Sequence, residues 1–201
     1  MRQHGFTLVE IVVTLAVMAL IMMIAMPNIV SWLGNTHIRN MADSLQNGLQ
    51  IARAEAVRRN QSVSFWLVAL NDPAVMGNEC TLSANSGSWV VSLNSPVSHC
   101  ADALSPTVAP MLVATRAAGN NGVLVGATQA VDPALPSATP APATTVTFDG
   151  FGRITNTSSA IGLISVQGAA NTRALQLSVS TGGQVRVCDP LVTDANDPRK
   201  C

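Results

Sequence analysis

The chain contains no tyrosine, only three tryptophans and four phenylalanines, and its charged residues make up just 11% of 201 positions. So few aromatics leave little for unpaired bases to stack on. The formal charge is zero overall, and beyond Asn60 six basic residues (Arg116, Arg153, Arg173, Arg186, Arg199, Lys200) face eight acidic ones. No global basic field therefore favours nucleic acid. The three histidines, His4, His37 and His99, are scattered, and no H-E-x-x-H, G-x-S-x-G or phosphate-loop pattern occurs. Serines without an identifiable base read as surface and strand residues, so the chain is not expected to be an enzyme. There is no C-x-x-C pair, and His99 beside Cys100 stands alone, which argues against a metal site. No cofactor is expected.

What is present is concentrated at the N-terminus. A short leader, MRQHG, meets an apolar run from Phe6 to Met26 of 21 residues whose only polar side chains are Thr7, Glu10 and Thr14. A helix needs roughly 20 apolar residues to cross a bilayer. The run exceeds the roughly 7 to 15 residues of a secretory h-region, and no small-residue cleavage site follows it; the small junction residue is Gly5, which precedes it. Arg2 ahead of the run places the N-terminus in the cytoplasm by the positive-inside rule. Glu10 is an ionisable group inside the span, costly there and so a functional position by default.

Gly5-Phe6-Thr7-Leu8-Val9-Glu10, followed by an apolar helix and Pro27, resembles the class III signal of type IV pilins and of the pseudopilins of type II secretion. The resemblance implies cleavage after Gly5 by a prepilin peptidase and N-methylation of Phe6. It also implies that Glu10, fifth in the mature chain, pairs with the terminal amine of a neighbouring subunit. A cation within reach offsets part of the cost of a carboxylate in hydrocarbon.

Four segments follow: a leader (1–5), a membrane and assembly helix (6–26), an amphipathic continuation (27–60) and a β-rich extracytoplasmic domain (61–201), long enough to bury a core. Ile38, Met41, Ala42, Leu45, Leu49, Ala52 and Ala56 recur at three- and four-residue steps, while Arg39, Asn40, Asp43, Asn47 and Arg58 fall elsewhere on the wheel. This half should pack on a sheet. Pro27 should kink or loosen the helix, Gly34 and Gly48 should be weak points, and Asn60 and Gln61 should end it.

Beyond that point the period becomes that of strands: Ser62 to Leu70, Trp89 to Leu93, Val123 to Val125, Thr144 to Phe148, Ala160 to Val166, Ala174 to Ser180 and Gln184 to Cys188. The last two flank Thr181-Gly182-Gly183, a hairpin signal. The Ala-, Pro- and Thr-rich stretch between Gly126 and Thr145 reads as an extended surface loop. Cys80, Cys100, Cys188 and Cys201 fit disulfides in an oxidising compartment. Three pairings exist, and proximity favours Cys80 with Cys100 and Cys188 with Cys201.

Three distal stretches narrow the resemblance: Ile51 to Asn60 (IARAEAVRRN), Phe148 to Arg153 (FDGFGR), and the tail from Gly183 through Cys188-Asp189-Pro190 to Asp197-Pro198-Arg199-Lys200-Cys201. They resemble the FimT/FimU/GspH group of minor pilins and pseudopilins. The implied fold is α+β and type IV pilin-like, a long N-terminal helix whose distal half packs on antiparallel sheets. Gly150 and Gly152 read as a turn, since the third glycine and following helix of a phosphate loop are absent.

Two roles follow from the resemblance. One is a minor pilin at low copy near the pilus tip that helps prime assembly, or its pseudopilus counterpart in type II secretion. It has other pilins and the prepilin peptidase as partners, and the inner membrane as its station before assembly. The other is a DNA receptor for uptake, carried in some FimT-like members by G-R-x-R. Here those positions are Gly183, Gln184, Val185 and Arg186, so the first arginine is lost. Arg186, Arg199 and Lys200 remain as a small basic set, opposed by Asp189, Asp194 and Asp197. Fewer phosphate contacts mean weaker binding, so assembly is favoured over DNA.

Overall fold

The computed structural model describes residues 7–130, 139–168, 172–194 and 196–201, with the side chains of 24–28 outside that description. The first element, α1, is a 52-residue helix, Leu8–Arg59, about 78 Å long at 1.5 Å per residue. Thr7 caps it, its Oγ1 accepting the Glu10 N–H at 3.3 Å. Glu10 in the first turn also suits the positive end of the helix dipole. Asn60 ends it in the left-handed region at φ 51°. The Gln61 and Asn60 N–H groups reach back to the Ala56 and Val57 carbonyls at 3.2 and 3.3 Å, a Schellman closure that satisfies carbonyls the helix leaves unpaired.

The predicted seam is the buried face of the helix. Ile38, Met41, Ala42, Leu45, Leu49, Ala52 and Ala56 are all buried. Each buried leucine contributes about 2 kcal/mol through removal from water. Opposite the seam, Arg39, Asn40, Asp43, Asn47 and Arg58 are exposed.

Among the described residues nine strands follow α1, arranged in two antiparallel sheets. The first sheet holds β1 (Val63–Ala69), β2 (Thr81–Leu82), β3 (Trp89–Ser92), β4 (Leu112–Arg116) and β6 (Thr145–Phe148). Strand β1 is its centre, pairing Phe65 with Val91 of β3 and Phe65 with Val146 of β6, so its side chains are mostly buried. The second sheet runs in the order β5 (Leu124–Gln129), β7 (Ile161–Gln167), β8 (Leu175–Val179), β9 (Val185–Cys188). Helix α1 touches β1, β3 and β6 of one sheet and β7, β8 and β9 of the other. One hydrophobic cluster therefore joins the helix to both sheets, from Leu45 and Leu49 to Phe65, Phe148, Ile164 and Leu177. A smaller cluster, Val68, Val90, Leu112 and the Cys80–Cys100 bridge, lies apart from the helix.

The observed strands differ from the sequence expectation in three places. Strands β2 and β4 were not expected: β2 is two exposed residues, and in β4 only Leu112 is fully buried, so neither carries an alternating apolar signal. Strand β5 continues through Gly126 to Gln129, into the stretch expected to be a loop. Its small residues have little β propensity, but pairing with β7 and burial of Val125 and Ala127 hold them extended. The far end of that stretch also pairs, since the Gln129 and Ala143 N–H groups donate to the Ala141 and Ala127 carbonyls. Residues 131–138 of the expected loop lie outside the described residues. The β8–β9 hairpin forms as expected, closed by Ser180 and Gln184, with Gly183 at φ 77°.

Gly34 and Gly48 do not interrupt the helix, which also runs through Pro27. Instead they let neighbours approach. A Cβ at Gly48 would stand 2.7 Å from the Phe65 ring and 2.9 Å from the Trp89 ring, both buried. In an open helix Gly→Ala gains about 1 kcal/mol, but overpacking a rigid aromatic contact costs about 1–3 kcal/mol. Gly48→Ala is therefore expected to destabilise the full chain by about 1 kcal/mol net, read as a lower denaturant midpoint. Gly77→Ala, with nothing within 4 Å of the added carbon, serves as the comparison. A higher midpoint for Gly48→Ala would show that the rings can give way.

Candidate functional site

Three regions carry the residues singled out by sequence. The first is the N-terminal half of α1. Apolar side chains from Leu8 to Met23, and Ile29, Val30, Trp32 and Leu33, are exposed. Packing on the domain begins near Asn35, whose Oδ1 accepts the Arg173 N–H at 2.8 Å. Glu10 is exposed in the first turn, with no ion pair among the described residues. Gly5 and Phe6, the proposed processing site, lie outside the described residues, and so does the side chain of Pro27. Among the described residues no helix is long and apolar enough to cross a membrane. The described apolar side chains of this half stop at Met23, while the run in the sequence continues to Met26.

The second region lies at the distal end of α1, where all three distal stretches meet. Arg53 Nε donates to the Gly152 carbonyl at 3.0 Å. Gly150 lies against Asn60, and Gly183 lies so close to the Gly152 carbonyl that a Cβ there would strike it. Gly152 and Gly183 take φ of 74° and 77°, a region that favours glycine. Asp149 closes the FDGFGR turn by accepting the Phe151 and Arg153 N–H groups at 2.9 Å each. Chiefly the Arg153 backbone bond holds its carboxyl below the usual range. The loop is thus a turn between strand partners, Phe148 bridging to Ile154. It presents an exposed Phe151 with the Arg153 guanidinium 5.3 Å from its ring centre. Sequence reading missed the role of Arg53; its place within IARAEAVRRN, off the buried seam, was the available signal.

The third region is the tail. The chain joins Cys80 to Cys100 and Cys188 to Cys201, the pairing that proximity favours, with Cα separations of 6.2 and 5.0 Å. The second bridge folds the C-terminus back on β9, where Asp189 pairs with Lys200 in parallel and its N–H donates to the Arg199 carbonyl at 2.7 Å. Arg186, Arg199 and Lys200 are brought together here, but two are engaged within the tail. Arg186 Nη2 donates to the Pro198 and Lys200 carbonyls at 2.8 Å. Arg199 grips Asp197 through Nε and Nη2 at 3.1 and 2.7 Å. That side-chain bond, with the Arg199 backbone N–H, pulls the Asp197 carboxyl down to about 2. No metal-binding group of side chains occurs among the described residues. His99 pairs with Asp102 at 2.8 Å on the surface beside the first disulfide.

The family described as "Type II transport protein GspH" matches residues 41–183, more than two thirds of the chain, and the prokaryotic N-terminal methylation motif matches residues 1–26. The chain belongs to the GspH family. It is therefore a minor pilin- or pseudopilin-type protein, of a structural family of pilin-like subunits. The match contains the whole glycine junction and ends at Gly183, before the disulfide-closed tail. Among solved structures the chain is similar to the type IV minor pilin FimU of Pseudomonas aeruginosa strain PAO1, at 14% identity and a TM-score of 0.46, covering 76% of this chain and 88% of that one. No curated protein matches.

Within the GspH-family junction, Glu55 secures the last helical turn. It accepts from Arg58 Nε and Nη2 at 2.7 and 2.6 Å and from Arg59 Nε. The Arg58 bonds first, opposed by burial and aided by Arg59, pull its carboxyl from 4.5 to about 2. A depressed carboxylate stabilises the fold above its unfolded pKa, and that stability is lost as pH falls from 4.5 toward 2. Glu55→Gln is expected to cost about 1 kcal/mol at neutral pH. It should also flatten the acid limb of stability in that window, measured by urea unfolding across pH. An unchanged acid limb would contradict the assignment.

Proposed function

We propose that this chain is a minor type IV pilin, incorporated at low copy near the pilus tip, where it helps prime assembly. The observation that carries this reading is the exposed apolar half of α1 with Glu10 in its first turn. Nothing in the described domain covers that half, so a bilayer must shield it first and other helices afterwards. Cleavage after Gly5 would create an amine on Phe6 five residues from each Glu10 counting inclusively, and a neighbour's amine offers the carboxylate its partner. Before assembly the chain would sit in the inner membrane as a single pass, N-terminus cytoplasmic and domain periplasmic, where the two disulfides are stable. Its partners are then the prepilin peptidase and the other major and minor pilins. Its family, that of a type II transport protein, favours a second reading as a minor pseudopilin of type II secretion.

Replacing Glu10 by Ala should leave the protein in the membrane yet lower its recovery in sheared filaments about tenfold, the effect of losing about 1.4 kcal/mol. A deletion strain scored for surface pili, protein secretion and DNA uptake separates the branches. Pili should fall while secretion persists. Lost secretion with normal pili would replace the pilus reading with the pseudopilus one, and lost DNA uptake with normal pili would favour a DNA receptor.

A further inference from the structure

The membrane-proximal end of the domain carries a groove of about 230 Å³ between α1 and the β8–β9 sheet, lined among others by Asn35, Arg39, Leu175 and Arg173. Arg39 and Arg173 are exposed, and neither guanidinium is held by an ion pair or hydrogen bond among the described residues. The other two charged groups at the groove, Arg199 and Asp189, are a cation and an anion that offset each other. Arg199 is clamped on Asp197, and Asp189 Oδ1 accepts the Leu191 N–H at 2.9 Å. Just below stands Trp32, 68% exposed although it is one of only seven aromatic residues. It lies seven residues before Arg39, about 10 Å along the helix axis. The Arg173 backbone is at the level of Asn35, to which it is hydrogen-bonded, about 4.5 Å above Trp32.

An indole with apolar Ile29, Val30 and Leu33 around it is suited to the headgroup boundary of a bilayer. Two free guanidiniums one to two turns above it are then level with lipid phosphates, which arginine binds through paired donors. We propose that this end of the domain, through Arg39, Arg173 and Trp32, docks on the headgroups of anionic phospholipids while α1 is still in the membrane. The inference rests on the reading of α1 as a membrane anchor. Docking orients the domain against the bilayer and is released when the helix leaves it, so the lipid contact opposes premature extraction.

The test uses the full chain in lipid nanodiscs of phosphatidylcholine alone or in equal mixture with phosphatidylglycerol, followed by amide hydrogen exchange at residues 172–175. Phosphatidylglycerol should slow exchange there roughly fivefold per arginine engaged. The effect should vanish at high salt and in the exposed double variant Arg39→Gln, Arg173→Gln. Equal exchange in the two lipids, with the chain retained in the discs, overturns the docking and leaves the anchor standing. Protection that follows protein density rather than lipid charge assigns the face to a second copy and also overturns it. A chain washed from the discs by alkaline carbonate overturns the anchor itself, and the docking with it.

Discussion

Everything in this molecule depends on one helix having two unlike halves. From Ile38 to Ala56 a single seam is buried against both sheets, and because it touches both, it is the element that makes two four- and five-stranded layers one body. From Leu8 to Met23, and again at Ile29, Val30, Trp32 and Leu33, the same helix presents uncovered apolar side chains. No rearrangement of the domain can shield the second surface without giving up the first, since both lie on one continuous rod. The uncovered half must therefore find its cover elsewhere, and the proposed pairing of Glu10 would give that cover an electrostatic requirement.

The glycine junction shows how the far end of the rod is fastened. Arg53, Asn60, Gly150, Gly152 and Gly183 come from three separate stretches and meet where the side chains of Arg53 and Asn60 lie against glycine backbone that an added Cβ would obstruct. They hold the helix end to the β6–β7 turn and the β8–β9 hairpin. Their chemistry is structural.

Much of this was legible in the sequence where physics repeats regularly. The seam has a helical period and every member is buried; Asn60 marks the helix end; Thr181-Gly182-Gly183 marks a hairpin. Strand β4 and the extension of β5 were not, because their burial is supplied by partners distant in the chain rather than by their own alternation. Gly48 illustrates the same limit. Its propensity points to weakness, but its function, admitting Phe65 and Trp89, depends on strands that begin at Val63 and Trp89. At the tail, sequence grouped Arg186, Arg199 and Lys200 as a small basic set opposed by Asp189, Asp194 and Asp197, and folding turns Arg186 onto carbonyls and Arg199 onto Asp197. Charge counting does not see which cations a fold will occupy.

If the uncovered half of the helix is an assembly element, the chain must be processed before it can work. The most direct measurement is the intact mass of the protein recovered from membranes of cells with an active prepilin peptidase. A chain lacking residues 1–5 and carrying one methyl group on Phe6 is predicted, with the unprocessed form accumulating when Gly5 is replaced by a bulky residue. A full-length chain in the first case, or a processed size unaffected by the Gly5 substitution, would contradict the role assigned to this helix.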